Sequence, residues 1–528
     1  MRTAAEPLAL VNARVLTVDR ARPTASSAVL RGGRIEAVDR VASDVRSVDL
    51  DGAVVVPGFV DSHLHLELGG ASLLHLDLST ATTRAQFEAA IARRHAELPP
   101  NEWLIARGWN EDALAEGTPP SRAWLTAAGR RPAVCWRSDQ HACVVNDAAL
   151  EVVSKRHDLS ADPPGGRIRR DAAGRPDGLF QEAAAWQLVQ PCVPAPSLDA
   201  TRRAVRAAQS HLARLGITTV GSMEYGETLR EAIAPQRADL DVRMRVTLLD
   251  RAWPDEFERW LAYAVAFDGD DALAIVGMKA FVDGTLGSRT ARMLEPYADD
   301  PGNRGLFVEL AERGLLNAWA LRVADAGLSP SMHAIGDEAA RAALDALEAC
   351  AARHPAIAVR IEHAQTIAPE DVPRFRGRFA SMQPLHKAHD ARSAASRLGA
   401  RRMDRFFPFR ALLDHGARLA FGSDWPIVSA DPIAGMAAAI TGRDLDGRVV
   451  RAEENIGPEA ALRAYTSEAS ACLGLRGAGA IRVGALADLT VLDRDPLECN
   501  WDHERPQVLA TLMGGRPTYL APQFAGAL

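Results

Sequence analysis

The sequence predicts an α/β fold: a (β/α)₈ barrel of the TIM type, with a small β-sandwich built from both chain termini and an inserted module. Eight apolar runs in the middle of the chain are bounded by turn residues and followed by helical patterns. Both chain ends instead have the patterns of short β-strands. More than 140 residues separate the first apolar run from the second, which is far more than an ordinary loop contains.

The eight apolar runs are the predicted barrel strands. Strands that alternate with helices form parallel sheets, and eight such units favour a closed barrel. The second run follows Leu215-Gly216, which is typical of a helix end before a strand. In chain order the predicted strands are 54–65, 217–223, 242–249, 275–282, 328–333, 359–363, 379–384 and 418–423.

The two chain ends resemble each other. Residues 8–51 are rich in Val and Ala and carry a turn signal at Gly32-Gly33, and residues 508–513 precede a similar Gly514-Gly515 turn. One sandwich assembled from both ends explains this likeness. We predict the sandwich at 1–56 and 475–528, the barrel at 57–71 and 198–474, and an inserted module over the barrel mouth at 72–197.

Composition excludes several classes of protein. The net charge of −7, without a Lys/Arg-dense stretch, argues against nucleic-acid binding. No apolar run reaches the roughly 18 residues that a membrane span needs. The first residues lack the apolar core of a signal peptide, and the six cysteines show no C-x-x-C spacing, so we expect a cytoplasmic protein with reduced thiols. A small-molecule substrate and a homodimer or other homo-oligomer are the expected partners.

The first candidate site residues are His63 and His65, at the end of the first predicted strand. Residues two apart on a strand point to the same side, and the carboxyl end of a barrel strand faces the active-site mouth. Two neutral imidazoles there can chelate a divalent metal ion. Alone, such a pair is equally well explained as structural.

Three further candidates end later strands. His333 ends the fifth strand, His363 ends the sixth and Asp424 follows the eighth. A single histidine after an apolar run is more often a core residue, and an aspartate there can be a helix N-cap. These alternatives weaken together, because all of these residues lie at the same level of one barrel.

Lys279 lies inside the fourth predicted strand, where a charged amine is costly unless it is paired. One interpretation is a buried aliphatic stem with the amine in solvent. The other is an amine that points to the histidines and reacts with CO₂, giving a carbamate whose oxygens can bridge two metal ions.

The set His63, His65, Lys279, His333, His363 and Asp424 resembles the amidohydrolase superfamily. Finer motifs resemble its YtcJ-like branch, which includes N-substituted formamide deformylases. The resemblance extends over nearly the whole chain. The motifs are PGFVDSHLH at 57–65, KAFVDGTLGSRTA at 279–291, HAIGD at 333–337, EHAQ at 362–365, QPLH at 383–386 and FGSDWP at 421–426.

The resemblance implies two divalent metal ions per chain, with zinc the first choice. His63 and His65 would bind one ion with Asp424, His333 and His363 would bind the other, and carboxylated Lys279 would bridge them. Asp424 would act as general acid and base on an attacking water. The candidate substrate contacts are His386, Trp109, His141, Asp283, Arg289 and Trp425.

His386 has the strongest claim among these contacts, because it lies just past the seventh strand. For Trp109 and His141, packing of the inserted module is an equally good explanation.

The resemblance implies hydrolysis of a carbon–nitrogen bond, in an amide, a formamide or a related carbonyl–nitrogen substrate. Three alternatives stay open: a single-zinc deaminase, a metal-assisted isomerase or hydratase on the same barrel, and a non-enzymatic binding relative. The first would hold one metal ion, and the last would be expected to have lost ligand positions.

Overall fold

The computed structural model describes residues 6–111, 114–137, 142–163, 166–182, 184–252, 255–287 and 289–524. The chain divides into two compact units. The larger comprises Met1–Gly70 and Val205–Leu528, and the smaller comprises Ala71–Ala204. Of the helices that the structure describes, none is long and apolar enough to cross a membrane.

The strands are numbered in chain order. They are β1 (Leu8–Val11), β2 (Arg14–Leu16), β3 (Thr24–Ala25), β4 (Ala28–Arg31), β5 (Arg34–Val38), β6 (Arg46–Asp49), β7 (Val54–Pro57), β8 (Phe59–Leu64), β9 (Leu76–Asp77), β10 (Leu104–Trp109), β11 (Ala133–Arg137), β12 (Ala142–Val145), β13 (Gly166–Arg170), β14 (Pro176–Glu182), β15 (Ile217–Glu224), β16 (Arg243–Leu249), β17 (Leu273–Phe281), β18 (Ser329–Ala334), β19 (Arg360–His363), β20 (Phe379–Met382), β21 (Arg418–Phe421), β22 (Leu489–Leu492), β23 (Val508–Met513) and β24 (Arg516–Leu520).

The α-helices are numbered in the same way. They are α1 (Leu66–Leu74), α2 (Arg84–Glu97), α3 (Asp147–Arg156), α4 (Leu198–Arg214), α5 (Gly226–Thr228), α6 (Glu256–Ala266), α7 (Glu309–Glu312), α8 (Leu316–Asp325), α9 (Asp337–Arg353), α10 (Pro384–Leu398), α11 (Phe409–Asp414), α12 (Pro432–Thr441), α13 (Pro458–Ala464) and α14 (Ser467–Cys472).

The barrel is an eight-stranded sheet in which β8 is followed by β15 to β21 in chain order. Every neighbouring pair is parallel. The strands are buried on both faces, which is why they have continuous apolar runs in the sequence. This confirms the predicted fold class.

The barrel closes between β21 and β8 through a very close backbone contact. The backbone N–H groups of Ser423 and Asp424 both donate to the carbonyl oxygen of His63, at 3.2 and 2.6 Å. A Cβ atom on Gly422 would lie 2.5 Å from the backbone nitrogen of His63. Only glycine therefore allows this approach, and the closure fixes His63 relative to Asp424.

The first predicted strand, 54–65, is two strands in two sheets. β7 pairs with β2 and β22 in a terminal sheet, whereas β8 pairs with β15 in the barrel. The chain changes partners at Gly58, where a Cβ atom would lie 2.2 Å from the side chain of Thr218. Because both strands are buried, the apolar pattern runs through the break and does not reveal it.

The terminal strands form two sheets. One has the order β24-β23-β22-β7-β2-β3 and mixes both chain ends, and the other has the order β5-β4-β1-β6 and comes from the N-terminal region alone. Side chains from both ends share one hydrophobic cluster, which includes Leu10, Val55 and Leu489. This agrees with a sandwich that draws on both termini.

The smaller unit has its own six-stranded sheet, in the order β13-β14-β12-β11-β10-β9. Apolar clusters cover both faces of it, because successive residues such as Val134 and Cys135 belong to different clusters. Its bounds, Ala71–Ala204, begin one residue before the predicted insert, 72–197, and end seven residues after it. Its place over the barrel mouth remains a prediction.

Candidate metal centre

The predicted metal ligands converge where the barrel strands end. His63 lies on β8, Lys279 on β17, His333 on β18 and His363 on β19, and Asp424 follows β21. The ligand atoms of His63, His363 and Asp424 lie within 4.8 Å of one another.

The other two histidines are adjacent to this group. His65 Nε2 is 3.2 Å from Asp424 Oδ1. The rings of His333 and His363 are 4.5 Å apart, and those of His63 and His363 are 4.9 Å apart. The structure thus brings all six predicted ligand positions together.

Each of the four histidines has one ring nitrogen bound to a protein acceptor. These contacts are His63 Nδ1 to Glu362 Oε2 (2.6 Å), His65 Nδ1 to Met223 O (3.2 Å), His363 Nδ1 to Gln383 Oε1 (2.9 Å) and His333 Nε2 to Gly284 O (3.1 Å). Carbonyl and carboxylate oxygens only accept, so the bound nitrogen carries the proton. The other nitrogen keeps its lone pair, as a metal ligand must. The donor set fits a divalent ion such as Zn²⁺.

Lys279 is buried, with 1% of its surface exposed, so its amine does not reach solvent. Its Nζ lies 3.2 Å from His63 Nε2 and 4.9 Å from the centre of the Phe281 ring. Burial lowers the pKa of Lys279, against the opposing effect of Asp424 and Glu362. The structure therefore excludes the interpretation of Lys279 as a lysine that extends its amine to water.

Asp424 occupies the centre of the group. Its backbone has a φ of 58°, in the left-handed region that aspartate tolerates better than most residues. Oδ1 is 3.4 Å from His63 Nε2 and 3.2 Å from His65 Nε2. Burial raises the pKa of Asp424, but the neighbouring imidazoles of His63 and His65 outweigh burial and hold it well below its usual range. An ionised carboxylate at this position can bind a cation or accept a proton.

Two further carboxylates support the backbone around the centre. Asp61 Oδ1 accepts the N–H groups of His63 and Ser423, at 3.0 and 3.1 Å. Asp283 uses both oxygens: Oδ1 accepts from Ile335 N, and Oδ2 accepts from Arg292 N and Gly336 N. Asp61 links the first barrel strand to the last, and Asp283 links the loops that follow β17 and β18.

Sequence reasoning gave no role to Glu362 and Gln383, although both occur in the quoted motifs. Glu362 is fully buried on β19 and paired with Arg360 at 2.5 Å. Burial raises the pKa of Glu362, but Arg360 and His63 hold it well below its usual range. The available signal was Arg360-x-Glu362 inside a predicted barrel strand, because buried charges need partners.

Among the predicted substrate contacts, His386 lies at the centre. Its ring is parallel to that of His363, with ring centres 6.0 Å apart. Its Nε2 is 3.7 Å from Asp424 Oδ2, and no hydrogen-bond partner for that nitrogen occurs in the part of the chain that the structure describes. His386 Nε2 thus lacks a protein hydrogen-bond partner among the described residues, and its contact with a substrate stays a prediction.

Trp425 and Arg289 have other partners. Trp425 is buried, its ring stacks on His211 at 5.3 Å, and a Cβ atom on Gly69 would meet that ring at 2.1 Å. Arg289 forms an ion pair with Asp299 at 2.9 Å. Asp283 accepts the three backbone N–H groups described above. Trp425, Arg289 and Asp283 therefore each have a structural role.

The two remaining candidates, Trp109 and His141, come from the inserted module. Trp109 belongs to the hydrophobic core of the smaller unit, and its indole N–H donates to Cys135 O at 2.7 Å. This favours packing over binding for Trp109. His141 lies outside the described residues.

Comparisons with known proteins agree with this chemistry. The model of a family described as the amidohydrolase family matches residues 46–519. YtcJ of Bacillus subtilis (strain 168) is 32% identical over 481 residues, which cover 86% of this chain and 86% of that protein. The N-substituted formamide deformylase of Arthrobacter pascens is 28% identical over 546 residues, which cover 96% of this chain and 97% of the deformylase.

A solved structure resembles this one over nearly its full length. It is the crystal structure of an uncharacterized metal-dependent hydrolase from Pyrococcus horikoshii, with 26% identity and a TM-score of 0.78. The match covers 94% of this chain and 100% of that chain.

The two supporting carboxylates should respond differently to loss of charge. Asp61→Asn should leave the free energy of unfolding nearly unchanged, because one amide oxygen can accept both N–H groups. Asp283→Asn should lower it by about 1–3 kcal/mol, because its amide nitrogen would face backbone N–H groups. Denaturant unfolding of both metal-free variants measures this difference, and equal stabilities would contradict it.

Proposed function

The chain belongs to the amidohydrolase family, and on that premise we propose that it hydrolyses a carbonyl–nitrogen bond in a small molecule, using two divalent metal ions with zinc as the first candidate. The observation that carries the proposal is the arrangement of the four histidines. Each has one ring nitrogen fixed by an acceptor and the other left for a ligand bond. The similarity to an N-substituted formamide deformylase supports an amide or formamide substrate.

We assign the ligands by proximity. Asp424 Oδ1 lies between the Nε2 atoms of His63 and His65, and these three would hold one ion. His333 and His363, whose rings are in contact, would hold the second. The ions, when bound, would lower the pKa of a water molecule and polarise the scissile carbonyl.

Asp424 is the proposed general acid and base. Its carboxylate would take a proton from the attacking water and deliver it to the leaving nitrogen, so that the amine departs uncharged. Oδ1 faces the two histidines of the first ion, whereas Oδ2 faces His386. His386 Nε2, which is next to Oδ2, would hold the substrate beside the proton that Asp424 carries.

Lys279 is the proposed bridge. Its uncharged amine would attack CO₂, forming an N–C bond and releasing one proton, which leaves a carbamate anion. This replaces a buried amine by an anion among metal cations, so the site gains the negative charge that two ions require. The Nζ position, 3.2 Å from His63 Nε2, supports this role because it is adjacent to a ligand nitrogen.

A single-ion enzyme, such as a deaminase, is the second candidate. It is favoured by one observation: the compact group of ligand atoms has three members, His63, His363 and Asp424, and they surround one point. The number of ions per chain separates the two candidates.

We also propose a small-molecule substrate and a cytoplasmic location. All six cysteines are free thiols and five are buried, which suits a reducing compartment. Assembly into a homo-oligomer remains a prediction.

The function is tested by metal analysis together with a substrate screen. Purified protein loaded with zinc should contain about two ions per chain and hydrolyse one of four compound classes: N-formyl, N-acyl, carbamate or lactam. Elemental analysis and amine release are the measurements. One ion in active protein would favour the deaminase, and metal-loaded protein that releases no amine from any class would contradict the proposed hydrolysis.

Asp424→Asn should lower kcat by about 100-fold or more, because an amide cannot carry the proton. The two side chains have the same shape, so the fold should persist. Asp431→Asn is the matched control, since Asp431 caps α12 and asparagine caps helices equally well. Turnover of Asp424→Asn close to wild type would remove Asp424 from the proton transfer.

Lys279→Ala should lose bound metal and activity together, and added acetate or propionate should restore part of both. Lys279→Arg should restore neither, because a guanidinium forms no carbamate and stays cationic. Lys387→Met is the control, because Lys387 is also buried but lies outside the group. Metal retention in Lys279→Ala, without any response to carboxylate, would contradict the bridge.

A further inference from the structure

We propose that Glu362 is a positioning residue of the metal centre: it holds His63 with Nδ1 protonated and Nε2 directed at the metal, and Arg360 fixes Glu362 in turn. This inference rests on the proposed function, in which His63 binds an ion. It adds a role for two residues that are not ligands themselves.

The contact between Glu362 and His63 is short and is shielded from solvent. Glu362 Oε2 lies 2.6 Å from His63 Nδ1, and both side chains are fully buried. His63 Nε2, on the far side of the ring, is 3.4 Å from Asp424 Oδ1. One hydrogen bond therefore sets both the tautomer of His63 and the direction in which its lone pair points.

Glu362 differs from the acceptors of the other three histidines. Those acceptors are the neutral carbonyl oxygens of Met223, Gln383 and Gly284. A carboxylate draws the proton of Nδ1 towards itself and increases the electron density on Nε2. His63 should accordingly be the strongest imidazole ligand of the four.

The carboxylate of Glu362 cannot turn away from His63. Its other oxygen, Oε1, accepts from Arg360 Nε at 2.5 Å and from Ser331 Oγ at 2.5 Å. Arg360 is held in turn by a bond from Nη2 to Thr247 Oγ1 at 2.7 Å. These residues come from β16, β18 and β19, so three barrel strands fix the orientation of one carboxylate.

The fold alone does not require this ion pair. Burial of Arg360 and Glu362 removes both charges from water, and a buried pair of this kind is often no more stabilising than apolar side chains of similar volume. A gain in stability therefore does not explain why the pair is present, whereas a role in orienting His63 does.

The test compares two double variants that differ in one property. Arg360→Met/Glu362→Gln keeps an oxygen that can accept from His63 Nδ1, whereas Arg360→Met/Glu362→Met has no acceptor. Both remove the ion pair, so neither leaves a lone buried charge. Zinc affinity, measured by competition with a chromophoric chelator, should fall about 10- to 100-fold from wild type in the Met/Met variant and clearly less in the Met/Gln variant.

The visible spectrum of the Co²⁺-loaded proteins is the second measurement, because it reports the ligands and not the fold. It should change in the Met/Met variant and stay close to wild type in the Met/Gln variant. Ser381→Ala is the control: Ser381 is equally buried, but its hydroxyl contacts Ser62 and, among the described residues, no histidine. Its affinity and spectrum should not change.

Equal zinc affinities and equal spectra in the two double variants would overturn the inference while the proposed function stands. Wild-type protein that binds no divalent ion would overturn both. A measurement on the wild type alone covers the case in which a variant does not fold. Nitrogen NMR of the zinc-loaded protein, with the His63 signal assigned from its loss in His63→Asn, should show Nδ1 protonated, and an Nδ1 without a proton would overturn the inference.

Discussion

The charges buried at the centre of the barrel are the constraint on which the site depends. Arg360, Glu362, Lys279 and Asp61 are almost fully excluded from water, and Asp424 nearly so. An isolated charge in such a place would be strongly destabilising. Arg360 and Glu362 pair with each other on β19, and further bonds join them to Thr247, Ser331 and His63 on three other strands. These bonds fix the strands against one another as well as the side chains.

This pairing joins the architecture to the chemistry at His63. Its carbonyl oxygen accepts the two N–H groups that close the barrel, its Nδ1 binds Glu362, and its Nε2 faces Asp424 and Lys279. A shift of β8 against β21 would disturb the closure and the ligand geometry at once. The contacts of His63 therefore hold the first barrel strand in place and also set the geometry of the centre.

The alternation of apolar runs with helical patterns predicted the fold class, and residue identity at the strand ends predicted which positions would converge. The barrel class is confirmed, and the six predicted ligand positions lie together, because the carboxyl ends of parallel strands meet at one rim. The first predicted strand, 54–65, is two strands: burial continues across the break, and Pro57-Gly58 was the local signal that separates them. The local pattern also did not reveal the partners of Trp425 and Asp283, because proximity to the mouth does not show which atoms are already bonded; contact of these two residues with a substrate stays a prediction.

The sequence by itself determined which residue types stand at the end of each strand, and therefore that histidines, an aspartate and a lysine would meet. The hydrophobic periodicity of each segment and the order of the segments along the chain are both properties of the sequence alone. Only the tertiary structure decided which nitrogen of each histidine is held by an acceptor, and that Glu362, Gln383 and the carbonyl groups of Met223 and Gly284 are those acceptors. Those contacts join residues on or just after different strands, and their distances depend on register and barrel closure, which no single segment encodes.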